Sequence, residues 1–343
     1  MGQSITLTLS ACLPAPRQYA VLAILLITFP FFALVLCGYV AARRRMLPLE
    51  AISGLNSFVL FFALPCMLFR FGASTPIAQL LDGAAIAVYL VCALVLVGFV
   101  VAASMNRRIG WNDASFGALV AAFPNTGFMG VPLLVALLGA AAAGPAILTI
   151  VVDLVVTTSL CVALSRLDGA VEHGASKAAM NALRGVALNP MPWAILLGGF
   201  ASALGMQPVK PVMQTIGLLA DSASPVALFT IGAVLARSQM VAAQREHGHQ
   251  PMPLRDYVPV AFIKLVVHPL LVLVVGAAAI YLGAPLEKFA LTVMVLVAAL
   301  PSASNVSLLA ERFGADTGRI ARIILLTTAA AFLTFSGAVA LLH

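Results

Sequence analysis

Charged side chains are scarce in this sequence. Asp, Glu, Lys and Arg make up 9% of its 343 residues, and hydrophobic residues make up 62%. A soluble domain normally carries about 25% charged residues, so this chain cannot form an ordinary soluble surface. Its apolar residues fall in continuous runs of roughly 20, enough for a helix to cross the bilayer core. They do not alternate as in a membrane β-barrel, so the composition predicts an all-helical integral membrane protein.

Signatures of enzymes and of metal or nucleotide binding are also missing. The five cysteines have no metal-ligand spacing; they are Cys12, Cys37, Cys66, Cys92 and Cys161. The sequence has no His-rich metal motif, nucleophile elbow or phosphate-binding glycine loop. We therefore expect no enzyme activity, no cofactor and no bound metal. The net charge of +7 is interpreted as a topology signal rather than as affinity for nucleic acid.

Ten apolar runs predict ten transmembrane helices. The first is interpreted as a retained helix, because no basic segment precedes an apolar stretch in the first 18 residues. The predicted spans are Tyr19–Ala42, Ile52–Phe71, Ala84–Met105, Ala114–Leu138, Pro145–Leu164, Pro190–Leu204, Pro211–Ala236, Tyr257–Leu282, Glu287–Ala310 and Ile320–Leu341. They divide the chain into a five-helix repeat at 1–165, a cytoplasmic connecting loop at 166–189 and a second five-helix repeat at 190–343.

Basic residues indicate the orientation of these spans. Most lie in alternate loops on one side: Arg43, Arg44, Arg45, Arg107, Arg108, Arg166, Lys177, Arg184, Arg237, Arg245, Arg255, Arg312 and Arg319. The opposite side has only Arg17, Arg70, Lys210 and Lys288. Basic loops remain in the cytoplasm, so the sequence predicts a multi-pass protein with both termini outside.

Two pairs of spans are similar in sequence. Leu64–Gly72 (LPCMLFRFG) in span 2 and Ser224–Gly232 (SPVALFTIG) in span 7 share the pattern Pro-x-x-Leu-Phe-x-x-Gly. Leu119–Pro124 (LVAAFP) in span 4 similarly matches Leu296–Pro301 (LVAALP) in span 9. Matched spans lie five apart, and because five is odd, the second copy must cross the membrane in the opposite direction. Inverted repeats are typical of secondary transporters, which hold their substrate near the midplane.

Spans 4 and 9 each contain a helix-breaking segment. Span 4 has Pro124 and Pro132 on either side of Asn-Thr-Gly-Phe-Met-Gly-Val, and span 9 has Pro301 before Ser-Ala-Ser-Asn. A proline inside a helix costs roughly 3 kcal/mol, and irregular backbone at membrane depth requires protein or water to cover it. These three prolines therefore predict helix breaks in two segments that cross near the bilayer centre.

The chemistry of the predicted breaks favours an anion. Each break leaves free amide groups at the N-terminus of a half-helix, where the helix dipole also attracts negative charge. Amide and hydroxyl side chains add further hydrogen-bond donors. The predicted substrate-binding residues are Asn125, Thr126, Gly127, Ser302, Ser304 and Asn305. Alternatively, the prolines only kink the helices and the asparagines satisfy the freed backbone carbonyls.

These segments resemble those of the auxin efflux carrier family. The resemblance rests on residues 124–132 (PNTGFMGVP), 300–305 (LPSASN) and 225–236 (PVALFTIGAVLA), and bacterial members described as malonate or related organic-acid transporters are the most similar. It implies ten helices, a scaffold domain with a mobile transport domain, and an elevator-like movement around crossing helices 4 and 9. It also implies a bacterial inner (plasma) membrane protein that carries a small organic anion, such as malonate or another carboxylate.

Three further polar residues are candidates for coupling ion movement to transport. Asp153 lies inside span 5, where a carboxylate is functional by default; a structural hydrogen bond or a lysine partner is the alternative. Lys264 and His268 share one face of span 8, four residues apart. For Lys264 we expect that the side chain extends to the cytoplasmic interface, with contact to the substrate as the alternative. His268 is also a candidate proton relay.

Several functional alternatives remain open at the sequence level. A sodium-coupled organic-anion symporter, similar to the bile acid transporters of the wider superfamily, is one of them. A ligand sensor without transport and a channel are the others. The expected partners are the organic anion and membrane lipid, and a homodimer is compatible with the sequence.

The predicted orientation can be tested by cysteine labelling in intact cells, after the native cysteines are removed. Cysteines introduced near His173 and His247 lie in predicted cytoplasmic loops, so they should resist impermeant thiol reagents. One introduced near Gln207 should react, because it lies on the predicted outer side. The reverse labelling pattern would overturn the orientation.

Overall fold

All regular elements described in the structure are helices. The computed structural model describes residues 17–74, 82–167, 190–206, 208–245 and 252–342. Most of the predicted connecting loop at 166–189, and positions 173, 207 and 247, lie outside the described residues. The helices are α1 (Arg17–Arg43), α2 (Ala51–Ser74), α3 (Gly83–Ser104), α4a (Trp111–Ala122), α4b (Thr126–Leu138), α5 (Ala140–Leu164), α6 (Pro190–Ala203), α7 (Lys210–Arg245), α8 (Val258–Tyr281), α9a (Lys288–Ala298), α9b (Asn305–Arg312) and α10 (Thr317–Leu342).

Many of these helices have the length and composition of membrane spans. Six are long and apolar enough to cross a bilayer: Ala51–Ser74, Gly83–Ser104, Ala140–Leu164, Lys210–Arg237, Val258–Tyr281 and Thr317–Leu342. Four apolar helices are shorter: Thr28–Arg43, Thr126–Leu138, Trp193–Ala203 and Lys288–Ala298. The prediction of an all-helical, multi-pass membrane protein is therefore confirmed. Two predicted spans, Ala114–Leu138 and Glu287–Ala310, each consist of two shorter helical pieces.

The helices pack in two groups. In the four-helix group, α1 packs along α7, and α2 packs along both α6 and α7. In the six-helix group, α3 packs on α4a, α8 packs on α9a, and α5 and α10 contact the interrupted helices. The two groups meet where α10 contacts α1 and α7 and where α4b contacts α7. Both interrupted helices therefore belong to the six-helix group, with α4b at the boundary.

Glycine allows α1 and α7 to approach at backbone distance. A Cβ atom on Gly232 would lie 1.8 Å from the carbonyl oxygen of Val35. A Cβ atom on Gly38 would likewise lie 1.8 Å from the carbonyl oxygen of Phe229. No side chain fits at either position, which is the arrangement that small residues permit between membrane helices.

The α2–α6 contact repeats this arrangement. A Cβ atom on Gly198 would lie 2.3 Å from the carbonyl oxygen of Phe69, and one on Gly72 would lie 2.8 Å from that of Ile195. In the two similar sequence segments, Phe69 and Gly72 of α2 occupy the positions of Phe229 and Gly232 in α7. The carbonyls of the equivalent residues Phe69 and Phe229 therefore each face a glycine of a different partner helix, Gly198 in α6 and Gly38 in α1.

Substitution of Gly232 by alanine should destabilise the protein. The added methyl group would meet the backbone of α1, and such overpacking typically costs about 1–3 kcal/mol. The matched control is Gly54→Ala, because a Cβ atom there meets nothing within 4 Å and alanine is the better helix former. Thermal unfolding in detergent should show a lower Tm for Gly232→Ala only. Equal Tm values for the two variants would contradict the close packing.

Candidate functional site

The interruptions in the two broken helices face each other. Pro124, between α4a and α4b, pairs with Ser302, between α9a and α9b, in an isolated antiparallel bridge. The Asn125 amide donates to the Pro301 carbonyl at 2.8 Å, and the Ala303 amide donates to the Phe123 carbonyl at 3.0 Å. The structure thus brings together the two segments that the sequence predicted to be unwound. We call this pairing, of residues 123–125 with residues 301–303, and the residues next to it the crossing.

Proline explains why the helices stop here. Pro124 and Pro301 have no amide hydrogen, so neither can continue the hydrogen-bond pattern of the helix before it. α4a ends at Ala122 and α9a ends at Ala298, just before these prolines. The carbonyls of Phe123 and Pro301, which would otherwise be left unpaired in a buried region, accept amides from the opposite segment. Each interrupted segment therefore supplies the amide that satisfies a free carbonyl of the other.

Pro132 does not break a helix, contrary to the sequence-based expectation. α4b begins with a π-helical turn, Thr126–Gly130, and continues directly into an α-helical part, Val131–Leu138. Pro132 lies in the first turn of that α-helical part. A proline is tolerated in a first turn because the amide it lacks is not needed there.

Several polar side-chain atoms at the crossing are buried without a hydrogen-bond partner among the described residues. These atoms are Thr126 Oγ1, Ser302 Oγ and Asn305 Oδ1. Asn125 is 5% exposed, and its side chain does not cap α4b. Buried polar atoms are nearly always hydrogen-bonded, so this group of unpaired atoms makes the crossing the candidate binding site.

The remaining predicted substrate-binding residues make other contributions. The Ser304 side chain does not cap α9b, and its carbonyl accepts a hydrogen bond from Ser307 Oγ at 2.8 Å. A Cβ atom added to Gly127 would lie 3.8 Å from the side chain of Leu64 in α2. Both α4b and α9b begin at the crossing, so the positive ends of two helix dipoles converge there. Backbone as well as side chains can therefore donate to an anion.

A small cleft opens beside the crossing. Its empty volume is about 310 Å³, which includes space open to solvent. The lining residues come from α2, from the crossing and its flanking turns, and from α5: Leu64, Phe123, Pro124, Asn125, Gly127, Phe128, Ile150, Leu154, Ala303 and Asn305. The cleft therefore combines a few amide groups with a largely apolar wall.

A buried polar cluster lies behind the crossing. Asp153 is completely buried in α5; its Oδ2 accepts from the Tyr89 hydroxyl at 3.0 Å and its Oδ1 accepts from Thr157 Oγ1 at 3.1 Å. Lys264 Nζ donates to the Ala298 carbonyl at 2.8 Å and lies 3.1 Å from His268 Nδ1. Asp153 forms no ion pair within 4.0 Å among the described residues.

The expectation that Lys264 extends to the cytoplasmic interface was wrong. Its side chain is completely buried, and it reaches the carbonyl of Ala298, the last residue of α9a. A cation at a helix C-terminus is favourable because the dipole is negative there. Periodicity placed Lys264 and His268 on one face of α8 but could not show that this face points at the end of α9a.

Three residues that the sequence did not single out support the site. Tyr89 and Thr157 hold the Asp153 carboxyl group, and Thr327 of α10 accepts the Ser302 amide through its Oγ1 at 3.3 Å. A tyrosine within the apolar run of α3 was the only signal that could have identified one of them. Thr327 has no distinguishing pattern, because a threonine hydroxyl usually bonds to its own helix.

Arg319 was assigned to topology alone, but the structure gives it a structural role. It is 2% exposed; its Nε donates to the Asp256 carbonyl and its Nη1 to the Asp113 carbonyl, both at 2.7 Å. The Asp316 amide also donates to Asp113 Oδ1 at 2.7 Å. These bonds connect the beginnings of α4a and α10 with the segment that precedes α8. α4a is therefore held at its far end as well as at the crossing.

No group of three or more His, Cys, Asp or Glu side chains in the described ranges could hold a metal ion. Ion pairs are equally sparse there: Arg70 of α2 pairs with Asp221 of α7 at 2.6 Å, and Arg255 lies 3.9 Å from Asp256. The polar chemistry of the described residues is therefore concentrated at the crossing, in the Asp153–Lys264 cluster and around Arg319.

Relatives of this chain include several transporters. A protein of Rhizobium meliloti named "Putative malonate transporter" is 29% identical over 312 residues, which cover 91% of this chain and 93% of the relative. "Uncharacterized transporter YfdV" of Escherichia coli K12 is 27% identical, with 84% of this chain and 88% of the relative covered. An "Uncharacterized transporter" of Methanothermobacter thermautotrophicus is 26% identical, with 86% and 90% covered.

A family comparison agrees with these relatives. The sequence model described as "Membrane transport protein" matches residues 23–339, and so spans all the helices described above apart from the ends of α1 and α10. The match confirms the family that residues 124–132 and 300–305 predicted from their resemblance. This chain belongs to the membrane transport protein family, which is the auxin efflux carrier family.

Proposed function

We propose that this protein is a secondary transporter that carries a small organic anion, such as malonate or another carboxylate, across the membrane. The observation that carries the proposal is a pair of unpaired buried hydroxyl groups at the crossing, Thr126 Oγ1 and Ser302 Oγ, which can donate hydrogen bonds to an anion. They lie where two helix N-termini converge, beside a cleft of about 310 Å³. Helix N-termini favour negative charge, and the related protein of Rhizobium meliloti is named for malonate.

In this proposal the chain forms ten membrane-crossing helices in two inverted five-helix repeats, at 1–165 and 190–343, joined by a cytoplasmic loop at 166–189. Support comes from the matched glycine contacts, in which α1 packs on α7 as α6 packs on α2. The break between α4a and α4b and the break between α9a and α9b fall at matched sequence positions and pair with each other. We place the protein in the bacterial plasma membrane with both termini outside.

The transport movement is proposed to be elevator-like. The four-helix group of α1, α2, α6 and α7 is held by backbone contacts at glycines, so it suits a rigid scaffold. The crossing belongs to the six-helix group, where Arg319 and Lys264 tie several helices together. A group tied in this way would move as one body and carry the bound anion with it.

The Asp153–Lys264–His268 cluster is proposed to couple transport to proton movement, with electrogenic uniport as the alternative. All three side chains are buried, and Lys264 contacts the end of α9a directly. A change in the protonation of this cluster would therefore alter the hydrogen bond that holds α9a next to the crossing. Proton relays in transporters are built from such intramembrane acidic and histidine side chains.

Replacement of Asn125 or Asn305 by alanine should weaken substrate binding. Each change removes a donor to a largely desolvated carboxylate, which is worth about 1.5–3 kcal/mol, or roughly a ten- to hundredfold loss of affinity. Aspartate at either position should bind still more weakly, because it places negative charge beside the anion. Binding to purified, folded variants is the measurement, with Asn56→Ala, which is outside the cleft lining, as the control.

A purely structural role for these asparagines makes a different prediction. The alanine variants would then lower the yield of folded protein, while an aspartate could still cap a half-helix. Substrate affinity equal to that of the wild type in both aspartate variants would refute an anion site at the crossing.

Coupling can be tested in proteoliposomes with a labelled carboxylate. A proton gradient or a membrane potential should drive uptake without sodium, and Asp153→Asn should remove the proton-driven part while leaving counterflow of the carboxylate. Thr158→Val is the matched control, because the Thr158 hydroxyl donates to the backbone carbonyl of Asp153 and not to its carboxyl group. A strict sodium requirement would instead favour a symporter similar to the bile acid transporters. Binding without any flux would indicate a ligand sensor.

A further inference from the structure

The backbone amide of Ser302 needs an acceptor from outside the crossing. Ser302 lies between α9a and α9b, directly opposite Pro124. The two hydrogen bonds of the crossing are made by the residues on either side of this pair. In an antiparallel pair with this pattern, the two central residues do not exchange hydrogen bonds with each other. The Ser302 amide is therefore left for a group on another element.

Thr327 of α10 supplies that acceptor. Its Oγ1 accepts the Ser302 amide at 3.3 Å, and its side chain is completely buried. The Thr327 hydroxyl also donates to the carbonyl of Ile324, one turn earlier on the same helix, at 3.0 Å. A hydroxyl group has a single hydrogen, and here that hydrogen is used within α10. Thr327 therefore presents lone pairs to the crossing and has no donor left for an anion.

The helix that carries Thr327 has contacts on both sides of it. Earlier on α10, the Arg319 side chain donates to two backbone carbonyls of other segments. Later on the same helix, Phe332 packs edge-on against Phe32 of α1, with ring centroids 5.2 Å apart. α10 runs without interruption from Thr317 to Leu342. The bond from Ser302 thus joins an irregular segment to a regular helix that is held at two further points.

This bond determines which group of Ser302 remains available. Because Thr327 engages the amide, the Ser302 hydroxyl oxygen is buried with no partner among the described residues. Ser302 adjoins Ala303 and pairs with Pro124, and both of these line the cleft. A buried amide without an acceptor is costly, and serine side chains readily bond to nearby backbone. Without the Thr327 hydroxyl, the segment around Ser302 would rearrange to satisfy its amide.

We propose that Thr327 is a positioning residue of the transport site. By accepting the Ser302 amide, it holds the Ser302 hydroxyl group in place to donate to the transported anion. Thr327 acts through Ser302 and does not contact the anion itself. This inference rests on the proposed function, and it adds a residue of α10, a helix that does not line the cleft.

Three variants on α10 separate this role from simple packing. Thr327→Val removes the acceptor and keeps the shape of the side chain, whereas Thr327→Ser keeps the hydroxyl group. Thr328→Val is the matched control: Thr328 is 7% exposed and donates to the same Ile324 carbonyl, at 2.7 Å, but has no bond to the crossing among the described residues. If Thr327→Val does not fold, Thr327→Ala and Thr328→Ala take the places of the two valine variants.

The first measurement needs no ligand. Hydrogen–deuterium exchange is followed by mass spectrometry on the purified full-length protein, in peptides that contain Ser302. Exchange should be faster in Thr327→Val, because the amide has lost its acceptor, and Thr327→Ser and Thr328→Val should match the wild type. Unchanged exchange in Thr327→Val would show that Thr327 does not hold Ser302, whether or not the protein is a transporter.

The second measurement is substrate affinity, with Tm recorded for each variant. The probe is malonate or, if malonate does not bind the wild type, the tightest ligand in a panel of mono- and dicarboxylates. Thr327→Val should bind about fivefold more weakly or worse, because a hydrogen bond to a charged group is weakened. Thr327→Ser should restore the affinity, and Thr328→Val should equal the wild type.

The remaining outcomes distinguish the positioning role from a structural one and from the proposed function. A lower Tm for Thr327→Val with unchanged affinity would make Thr327 a structural residue only. Failure of Thr327→Ser to restore affinity would assign the effect to the methyl group and would also refute the inference. If no carboxylate of the panel binds the wild type, the proposed function is wrong and the positioning role falls with it, even where exchange at Ser302 responds as expected.

Discussion

The antiparallel pairing of Pro124 with Ser302 is the interaction on which the rest of this structure depends. Two helices are interrupted inside an apolar protein, where an unpaired carbonyl or amide is costly. Two hydrogen bonds, from Asn125 to Pro301 and from Ala303 to Phe123, satisfy both interruptions at once. Neither break could be buried without the other. The same pairing starts two half-helices at one point and so creates a place for negative charge.

The surrounding polar groups hold this pairing from several directions. Thr327 accepts the Ser302 amide, and Lys264 holds the last carbonyl of α9a. Arg319 fixes the far end of α4a to α10 and to the segment before α8. These bonds hold the crossing within the six-helix group. In the proposed coupling, a change in the protonation of the buried cluster would act on the crossing through the hydrogen bond from Lys264 to the end of α9a.

The parts of this arrangement that could be predicted from sequence are those encoded by short local patterns. Proline followed by Asn or Ser marked both breaks, and the repeated Pro-x-x-Leu-Phe-x-x-Gly segment marked Gly72 and Gly232. The glycines that face these segments could not be predicted, because Gly38 and Gly198, which meet the Phe229 and Phe69 carbonyls, lie in helices without a matching motif. Pro132 was misjudged, because a π-helical turn before it places it in a first turn. The contact of the Lys264 ammonium group also depends on how α8 packs against α9a, and no local sequence pattern determines that packing.

The central claim is that the crossing binds a carboxylate, and a crystal structure with a brominated carboxylate tests it most directly. The account predicts an anomalous bromine peak in the cleft near Ile150 and Leu154. It also predicts that the carboxylate oxygens lie about 3 Å from the side chain of Asn125 or Asn305. A ligand bound elsewhere in the protein, with none at the crossing under saturating conditions, would contradict the account.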